Sequence, residues 1–396
     1  MPRPDRARAI SALSEVLKRD DDPFVGNAAA TSALVLLTVF AWLSFIFLPV
    51  LIDQYVNAYG YSESMAGSLA GGEVGALTLV TLIVSRGIQR RDKRLLCTVG
   101  GVLVIGGNAL SLAATEWEVL GLSRLVVGSG LGLVVAATNS LPALSKASER
   151  LYALGQFALC VFGCLLILGV PFAVGRAGSA GIYWLEAGTA VVALLCTKWL
   201  PPGRARPMPE ERGRLHIDVM VMRAVGGACL FYIVQTALWA FAARAGERVG
   251  MTSDGIEAFL AASAICGAGG AALAIFLGTR LGIIAPLAIG FLSQAGFGVL
   301  LYSGRSKAEF AAAVLLITVS STFVTPYLLT VAARLDPLGR VASAVGGFMN
   351  LGATIGPILA GAAAARFGFH WIGLGSAAVL AVGLGVIHAP AVDRAG

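Results

Sequence analysis

The sequence is poor in charged residues. Asp, Glu, Lys and Arg make up only 13% of its 396 residues, whereas hydrophobic residues make up 57%. This composition cannot provide a water-soluble surface, and it excludes intrinsic disorder, because disordered chains are rich in charge and poor in apolar residues. The 50 glycines fit an integral membrane protein, in which small residues let helices approach closely.

Residues for catalytic and metal chemistry are also scarce. The three histidines are His216, His370 and His388, and none falls in the middle of an apolar run. No Gly-Lys dipeptide occurs, so the Walker-type phosphate loop of an ATP-driven pump is absent. The six cysteines lack metal-ligand spacing. We therefore expect no metal and no cofactor, and we disfavour an intramembrane enzyme.

The apolar residues form runs long enough to cross about 30 Å of hydrocarbon. They predict an all-α membrane protein of 12 helices. A segment at residues 201–220, rich in proline and arginine, cannot form a spanning helix and is interpreted as a cytoplasmic linker. The predicted parts are a cytoplasmic N-terminal segment (1–30), two six-helix bundles (31–200 and 221–389) and a cytoplasmic tail (390–396). The predicted spans are residues 31–52, 64–85, 95–115, 119–142, 152–173, 180–200, 221–243, 256–278, 283–303, 308–332, 342–365 and 370–388.

The distribution of basic residues predicts the orientation. Most of the 29 Lys and Arg residues lie in segments that are cytoplasmic if the N-terminus is inside, as the positive-inside rule requires. Both termini are therefore predicted to be cytoplasmic, in a multi-pass plasma membrane protein, with a bacterial inner membrane favoured. The net charge of +7 comes from these loops and not from one basic face, so no nucleic-acid partner is expected.

The two halves resemble each other in sequence. The segment beginning at Gly60 (GYS) matches the one beginning at Gly250 (GMT), and GIYW at Gly181 matches GFHW at Gly368. Both matches have an offset of about 190 residues, close to half the chain. Duplicated six-helix bundles of this kind are typical of membrane transporters.

Three motifs make the sequence resemble the major facilitator superfamily. Residues 85–94 (SRGIQRRDKR) look like a degenerate form of the family's loop between helices two and three. In the fourth helix, Leu120, Arg124 and Gly128 are similar to the motif associated with proton transfer in the family's antiporters. Residues 335–340 (LDPLGR, including Asp336 and Arg340), followed by Gly352, Gly356 and Pro357, resemble the turn and eleventh helix of twelve-helix efflux-type members.

The resemblance implies where each helix lies. Helices two, five, eight and eleven are expected at the interface between the bundles, and helices one, four, seven and ten around a central cavity. Small residues recur along three of the interface helices and predict close, movable contacts between the bundles. They are Gly67, Gly71 and Gly75 in helix two, Gly267 in helix eight, and Gly352 and Gly356 in helix eleven; together with Pro357, Asp336 and Arg340 they form the predicted interface and gating set.

Two charged residues inside apolar runs are candidates for ion coupling. Glu73 lies about 13 Å along helix two, near the membrane midplane, and Arg124 lies about 8 Å along helix four. Charges are costly there and are usually functional, so a Glu73–Arg124 pair is a candidate proton or anion switch. The alternative is that the pair only holds the bundle together. Glu186, close to Trp184, is interpreted instead as an interfacial residue that snorkels or pairs with Arg176.

The cavity predicted from the resemblance is aromatic, sparsely polar and poor in charge. This composition suits a small organic solute with an apolar or aromatic body. The alternative for each aromatic residue is that it fills a contact between helices. The predicted lining residues are Phe40, Trp42, Asn139, Gln235, Trp239, Thr322, Phe323 and Tyr327.

These observations predict a monomeric secondary active transporter that moves a small organic solute by alternating access. Proton coupling is expected from Glu73, and the efflux-type motifs favour export. Two alternatives remain open: an uptake permease for an organic acid, either proton-coupled or facilitative, and a non-transporting receptor built on the same fold.

Overall fold

A computed structural model describes residues 23–114, 116–142, 145, 148–201, 219–278, 280–335 and 340–392. Within these ranges the protein is helical and has no strand, and 12 helices are long and apolar enough to cross a membrane. The prediction of 12 membrane helices is therefore confirmed. The helices are α1 (Ala28–Ala41 and Leu43–Asn57), α2 (Glu63–Ser85), α3 (Lys93–Ala113), α4 (Trp117–Ser140), α5 (Ser148–Leu168, continued by Val170–Ala177), α6 (Ala180–Thr197), α7 (Val219–Ala240 and Ala242–Arg248), α8 (Ser253–Leu277), α9 (Ile284–Ser303), α10 (Lys307–Leu335), α11 (Arg340–Phe367) and α12 (His370–Val392).

The first helix of each half is longer than predicted and is interrupted. Helix α1 breaks at Trp42 and continues to Asn57, and α7 breaks at Phe241 and continues to Arg248. Hydropathy alone ended both runs early because their last turns carry polar residues such as Asp53 and Arg244. Those side chains interact across the two halves, so the helix can continue through them.

The turn that precedes the second helix is built alike in both halves. Gly60 and Gly250 adopt φ values of 70° and 74°, in the left-handed region that glycine enters without steric cost. Ser62 and Thr252 then cap α2 and α8, since their hydroxyl groups accept hydrogen bonds from the backbone N–H groups of Met65 and Gly255. The sequence match at these positions therefore reflects a shared local structure.

Helices α2 and α11 form a close contact between the two halves. Gly67 faces the carbonyl oxygen of Pro357, and Gly71 faces Thr354 and the side chain of Ile358. Gly75 also faces Thr354. A Cβ atom at Gly67 or Gly71 would overlap these neighbours, so glycine permits the approach. Helix α5 packs on α8 in another contact between the halves.

The structure corrects the placement of three predicted interface glycines. Gly352 and Gly356 face α7, next to Ile233, within the C-terminal half. Gly267 faces Thr318 and Thr322 of α10, also within that half. A helix in a bundle touches neighbours on several sides, so a stripe of small residues predicts a close contact without identifying its partner.

The remaining predicted segments are covered only in part. Residues 1–22, 202–218 and 393–396 lie outside the described residues, and so does Asp336. Arg340 begins α11, but its side chain is not among the described ones. For the rest, the side of the protein where Ala28 begins α1 and α12 ends is called the terminal side, and the opposite side is called the far side.

Candidate functional site

The candidate ion-coupling site lies where α2 and α4 meet. A Cβ atom at Gly128 would overlap the carbonyl oxygen of Glu73, so glycine at this position lets α4 lie directly against α2. Arg124 is one turn earlier on α4, and its side chain reaches the Glu73 carboxylate. The distance between Arg124 Nη1 and Glu73 Oε2 is 3.7 Å. The structure thus brings the two predicted residues together.

Glu186 is the closer acidic partner of Arg124. The distance from Arg124 Nη1 to Glu186 Oε2 is 2.9 Å, and the Glu186 side chain is 1% exposed. The prediction that Glu186 snorkels or pairs with Arg176 was wrong, because α6 turns this residue into the bundle and not towards the interface. Arg176 lies over the ring of Phe172 instead.

Polar residues of the neighbouring helices complete the surroundings of Arg124. Its Nη2 group donates to Asn108 Oδ1 at 2.7 Å and to Ser111 Oγ at 2.9 Å. The guanidinium group also lies 5.0 Å from the centre of the Tyr183 ring, a favourable cation–π geometry. Helices α3 and α6 therefore also provide partners for the arginine.

Glu73 has a separate contact with α1. Ser44 Oγ donates a hydrogen bond of 2.5 Å to Glu73 Oε1. Ser44 lies two residues after the break at Trp42, and the carbonyl of the next residue, Phe45, accepts a 2.8 Å hydrogen bond from Trp239 Nε1 of α7. The Glu73 carboxylate therefore binds Ser44, and the residue after Ser44 contacts the other half of the protein.

The group formed by Glu73, Arg124 and Glu186 is here called the Arg124 cluster. Its three charged side chains are 2%, 0% and 1% exposed, respectively. Four buried polar atoms in or beside the cluster have no hydrogen-bond partner among the described residues: Arg124 Nε, Glu186 Oε1 and the hydroxyls of Tyr55 and Tyr183. The cluster therefore has one positive group, two acidic groups and unused hydrogen-bonding capacity.

Sequence reasoning missed Ser44, Asn108, Ser111 and Glu186. A signal for two of them was present, because Asn108 and Ser111 are polar residues three positions apart on one face of an apolar helix. Their partner could not be identified from spacing alone.

The predicted cavity residues of α7 contact neighbouring helices. Trp239 of α7 reaches across to α1, where the Trp42 ring lies 5.1 Å from that of Phe45. Gln235 accepts a hydrogen bond from Gln294, which is fully buried in α9. Phe40 is also buried.

The predicted residues of α10 lie against α8. Thr322 Oγ1 donates to the carbonyl of Gly267 at 2.7 Å, and the Tyr327 hydroxyl donates to the carbonyl of Gly278 at 3.0 Å. The Phe323 ring is buried and packs 5.3 Å from that of Tyr327. Asn139 is exposed in the last turn of α4, at the terminal side. The structure thus distributes the set and does not gather it at one point.

A second charged group, which sequence reasoning did not select, joins the two halves at the far side. Arg244 of α7 forms ion pairs with Asp53 at 3.6 Å, with Glu63 at 3.7 Å and with Glu247. Asn57 of α1 donates to Glu247 Oε1 at 2.6 Å and accepts from Arg244 at 2.8 Å. We call these five residues the far-side network. They connect the ends of α1 and α2 to the end of α7.

The comparisons with known proteins identify the family. The family model described as Major Facilitator Superfamily matches residues 34–346, so the chain belongs to the major facilitator superfamily. Among solved structures, a bacterial homologue of the human lysosomal transporter Spinster, in an inward-facing and unoccupied conformation, has 15% sequence identity and a TM-score of 0.69. The match covers 92% of this chain and 94% of that one.

The human organic anion transporter MFSD10 (TETRAN) is also similar in structure, with 16% identity and a TM-score of 0.63. This match covers 91% of the present chain and 99% of the human one. None of the curated proteins compared with the chain matches it. The family and its fold make the protein a multi-pass membrane protein and a secondary transporter for small molecules, not an enzyme.

Proposed function

We propose that the protein is a proton-coupled transporter that exports a small organic solute, aromatic or amphipathic in character, by alternating access. The observation that carries this proposal is the buried contact between Glu73 and Arg124. Ionisable residues are costly inside a membrane and usually belong to an ion or substrate pathway. The carboxyl group of Glu73 can take up and release a proton, and it lies next to the α1 segment that touches the other half.

The ion pairs that join the halves at the far side support a transport cycle. With the N-terminus in the cytoplasm, the far side faces outwards, and the far-side network then seals the external entrance. The structure would accordingly represent the inward-facing state, the state that the similar Spinster homologue adopts. We place the working protein in a bacterial inner membrane as a monomer, with both termini inside.

The proposed solute class comes from the aromatic and uncharged side chains at or near the expected cavity: Phe40, Trp42, Asn139, Gln235, Trp239, Thr322, Phe323 and Tyr327. Such residues favour a solute with an apolar body and few polar groups. A solute that binds the folded state raises its apparent stability, so screening aromatic and amphipathic compounds for thermal stabilisation will select one for transport assays.

The test uses the selected compound in proteoliposomes with an imposed pH gradient. We expect the gradient to drive its movement by the wild-type protein and to have no effect on movement by Glu73→Gln, because glutamine cannot exchange a proton. Glu118→Gln is the matched control, since Glu118 is exposed at the start of α4. Movement by Glu73→Gln that still follows the gradient contradicts the assignment of Glu73. Binding without any movement in the wild type indicates the receptor alternative.

A further inference from the structure

The Arg124 cluster has an unequal number of acidic and basic groups. Glu73 and Glu186 approach the same nitrogen, Nη1 of Arg124, at 3.7 and 2.9 Å. If both carboxyl groups were ionised, the cluster would carry one net negative charge. All three side chains are at least 98% buried, and an uncompensated charge in such a place is strongly unfavourable. The cluster therefore requires one additional positive charge.

The two carboxyl groups are not equivalent. Glu186 Oε2 is within hydrogen-bonding distance of Arg124, in the geometry of a charge-assisted bond. Glu73 Oε2 is beyond that distance, and the other Glu73 oxygen is occupied by the Ser44 hydroxyl. Glu186 is thus the better counter-ion for Arg124, and Glu73 is the group that can be neutral at little cost.

From these contacts, and resting on the proposed function, we infer that the Arg124 cluster holds one exchangeable proton, which is bound to Glu73 while Glu186 remains ionised as the permanent counter-ion of Arg124. Proton binding converts the Glu73 carboxylate to a carboxylic acid and brings the net charge of the cluster to zero. Glu186, which lies outside the recognised helix-four motif, acts as a positioning residue. It keeps Arg124 paired whether or not Glu73 carries its proton.

The surroundings favour a proton over a metal cation. The guanidinium group of Arg124 occupies the space between the two carboxyl groups and would repel a second cation. The buried oxygen atoms without a protein hydrogen-bond partner in this part of the described structure are Glu186 Oε1 and the hydroxyls of Tyr55 and Tyr183. These three are fewer than the six or more oxygen ligands that a hard cation such as Ca²⁺ takes. The described residues contain no group of three or more His, Cys, Asp or Glu side chains that could bind a metal.

The other titratable groups near Glu73 do not supply the missing charge. Tyr55 of α1 lies within electrostatic reach of Glu73, Arg124 and Glu186, and Tyr183 of α6 faces Arg124. Both are neutral phenols when protonated. From α3 the cluster receives Asn108 and Ser111, which do not titrate. A proton on one carboxyl group is therefore the simplest way to balance the cluster.

Infrared spectroscopy of the purified protein tests this inference without a transported solute. A protonated carboxylic acid has a carbonyl stretching band that shifts when the proton is exchanged for deuterium. We expect the wild-type protein and Glu118→Gln to show this band and Glu73→Gln to lose it. We also expect its loss in Glu186→Gln, because Arg124 then requires Glu73 to be ionised.

Two infrared results would overturn the inference. One is an unchanged carboxylic acid band in Glu73→Gln at every pH, and the other is an unchanged band in Glu186→Gln. Stabilisation of the wild type, but not of Glu73→Gln, by sodium chloride relative to choline chloride would assign the charge to a metal cation instead and would also overturn it.

Thermal stability provides an independent measurement. Each single variant keeps one carboxylate for Arg124, so both should retain a cooperative unfolding transition. The double variant Glu73→Gln/Glu186→Gln leaves Arg124 without a counter-ion, and we expect its Tm to fall below that of either single variant. A double variant as stable as the singles contradicts the assigned counter-ion. If the infrared pattern holds but a pH gradient drives no solute movement, the proposed function fails and the inference about the proton stands.

Discussion

At the scale of single residues, Arg124 contacts four charged or polar side chains among the described residues, those of Glu73, Glu186, Asn108 and Ser111. It receives partners from α2, α3 and α6, and α1 joins through Ser44. Three helices thus direct polar side chains at one guanidinium group, and α1 binds the carboxyl group of Glu73 beside it. The structural and the functional interpretations of Arg124 are therefore not exclusive, since the same contacts assemble the bundle and hold the carboxyl groups in place.

We predict that Arg124→Gln strongly destabilises the protein. The substitution leaves the buried Glu186 side chain without its cation, and breaking a buried ion pair from one side costs about 3–5 kcal/mol. Thermal unfolding in detergent should show a Tm well below that of Arg176→Gln. Arg176 is exposed, so it is the matched control. Equal Tm values for the two variants would contradict a structural role of the Arg124 cluster.

The sequence selected Glu73 and Arg124 as a pair, and the structure has both buried and in contact, but it misplaced Glu186. Depth along a helix follows from the rise per residue, which is the same for every helix. The direction in which a side chain points depends on which neighbours surround the helix, and one sequence does not contain that information. The neighbouring Trp184 suggested that Glu186 lies at the membrane interface. Glu186 is two positions later in the helix, however, and its side chain therefore points to a different face from that of Trp184.

At the scale of helices, the contact of α2 with α11 depends on the absence of side chains. Gly67 lies beside the Pro357 carbonyl and Gly361, so the two backbones approach without any intervening Cβ atom. Hydropathy predicted the existence and the approximate ends of the helices, because length and apolar character determine both. It did not predict the breaks at Trp42 and Phe241, since an interruption of one residue does not change the mean hydropathy of a run.

We predict that Gly67→Ala weakens the contact between the halves. Its Cβ atom would overlap the Pro357 carbonyl oxygen, which belongs to the backbone and cannot move independently. Overpacking of this kind costs about 1–3 kcal/mol, so both Tm and transport rate should fall. Gly72→Ala is the control on the same helix, because the nearest atom to a Cβ there is Leu125 Cδ2 at 3.7 Å. Similar losses in both variants would indicate an effect of the helix itself and not of the contact.

At the scale of the whole molecule, the far-side network holds the halves together through the ends of α1, α2 and α7. Arg244 is its only basic member, and it faces three acidic residues. Repetition in the sequence predicted two halves, but not which residues would meet between them, because those contacts depend on the relative position of the halves in one conformational state.

We predict that Arg244→Gln opens the far side. Without the guanidinium group the acidic residues repel one another, and the population shifts towards a state in which the halves separate there. Spin labels at Glu118→Cys on α4 and Lys307→Cys on α10, in a background without the six native cysteines, should give longer distances in Arg244→Gln than with Arg244 present. An unchanged distance distribution would show that other contacts keep the far side closed. Arg305→Gln, at an exposed position of the same side, is the control.

The hydrogen bond between Asn57 and Glu247 has a consequence for the origin of the chain. The repeat offset makes these two positions equivalent, so they meet near the axis that relates the halves. In an ancestor assembled from two identical subunits, this position would have touched its own copy, and two glutamates there would have repelled each other. In a single chain the two positions are encoded separately, so that restriction does not apply. Each copy could then change separately, and an amide facing a carboxylate became available as a contact that no symmetric pair of identical chains can make.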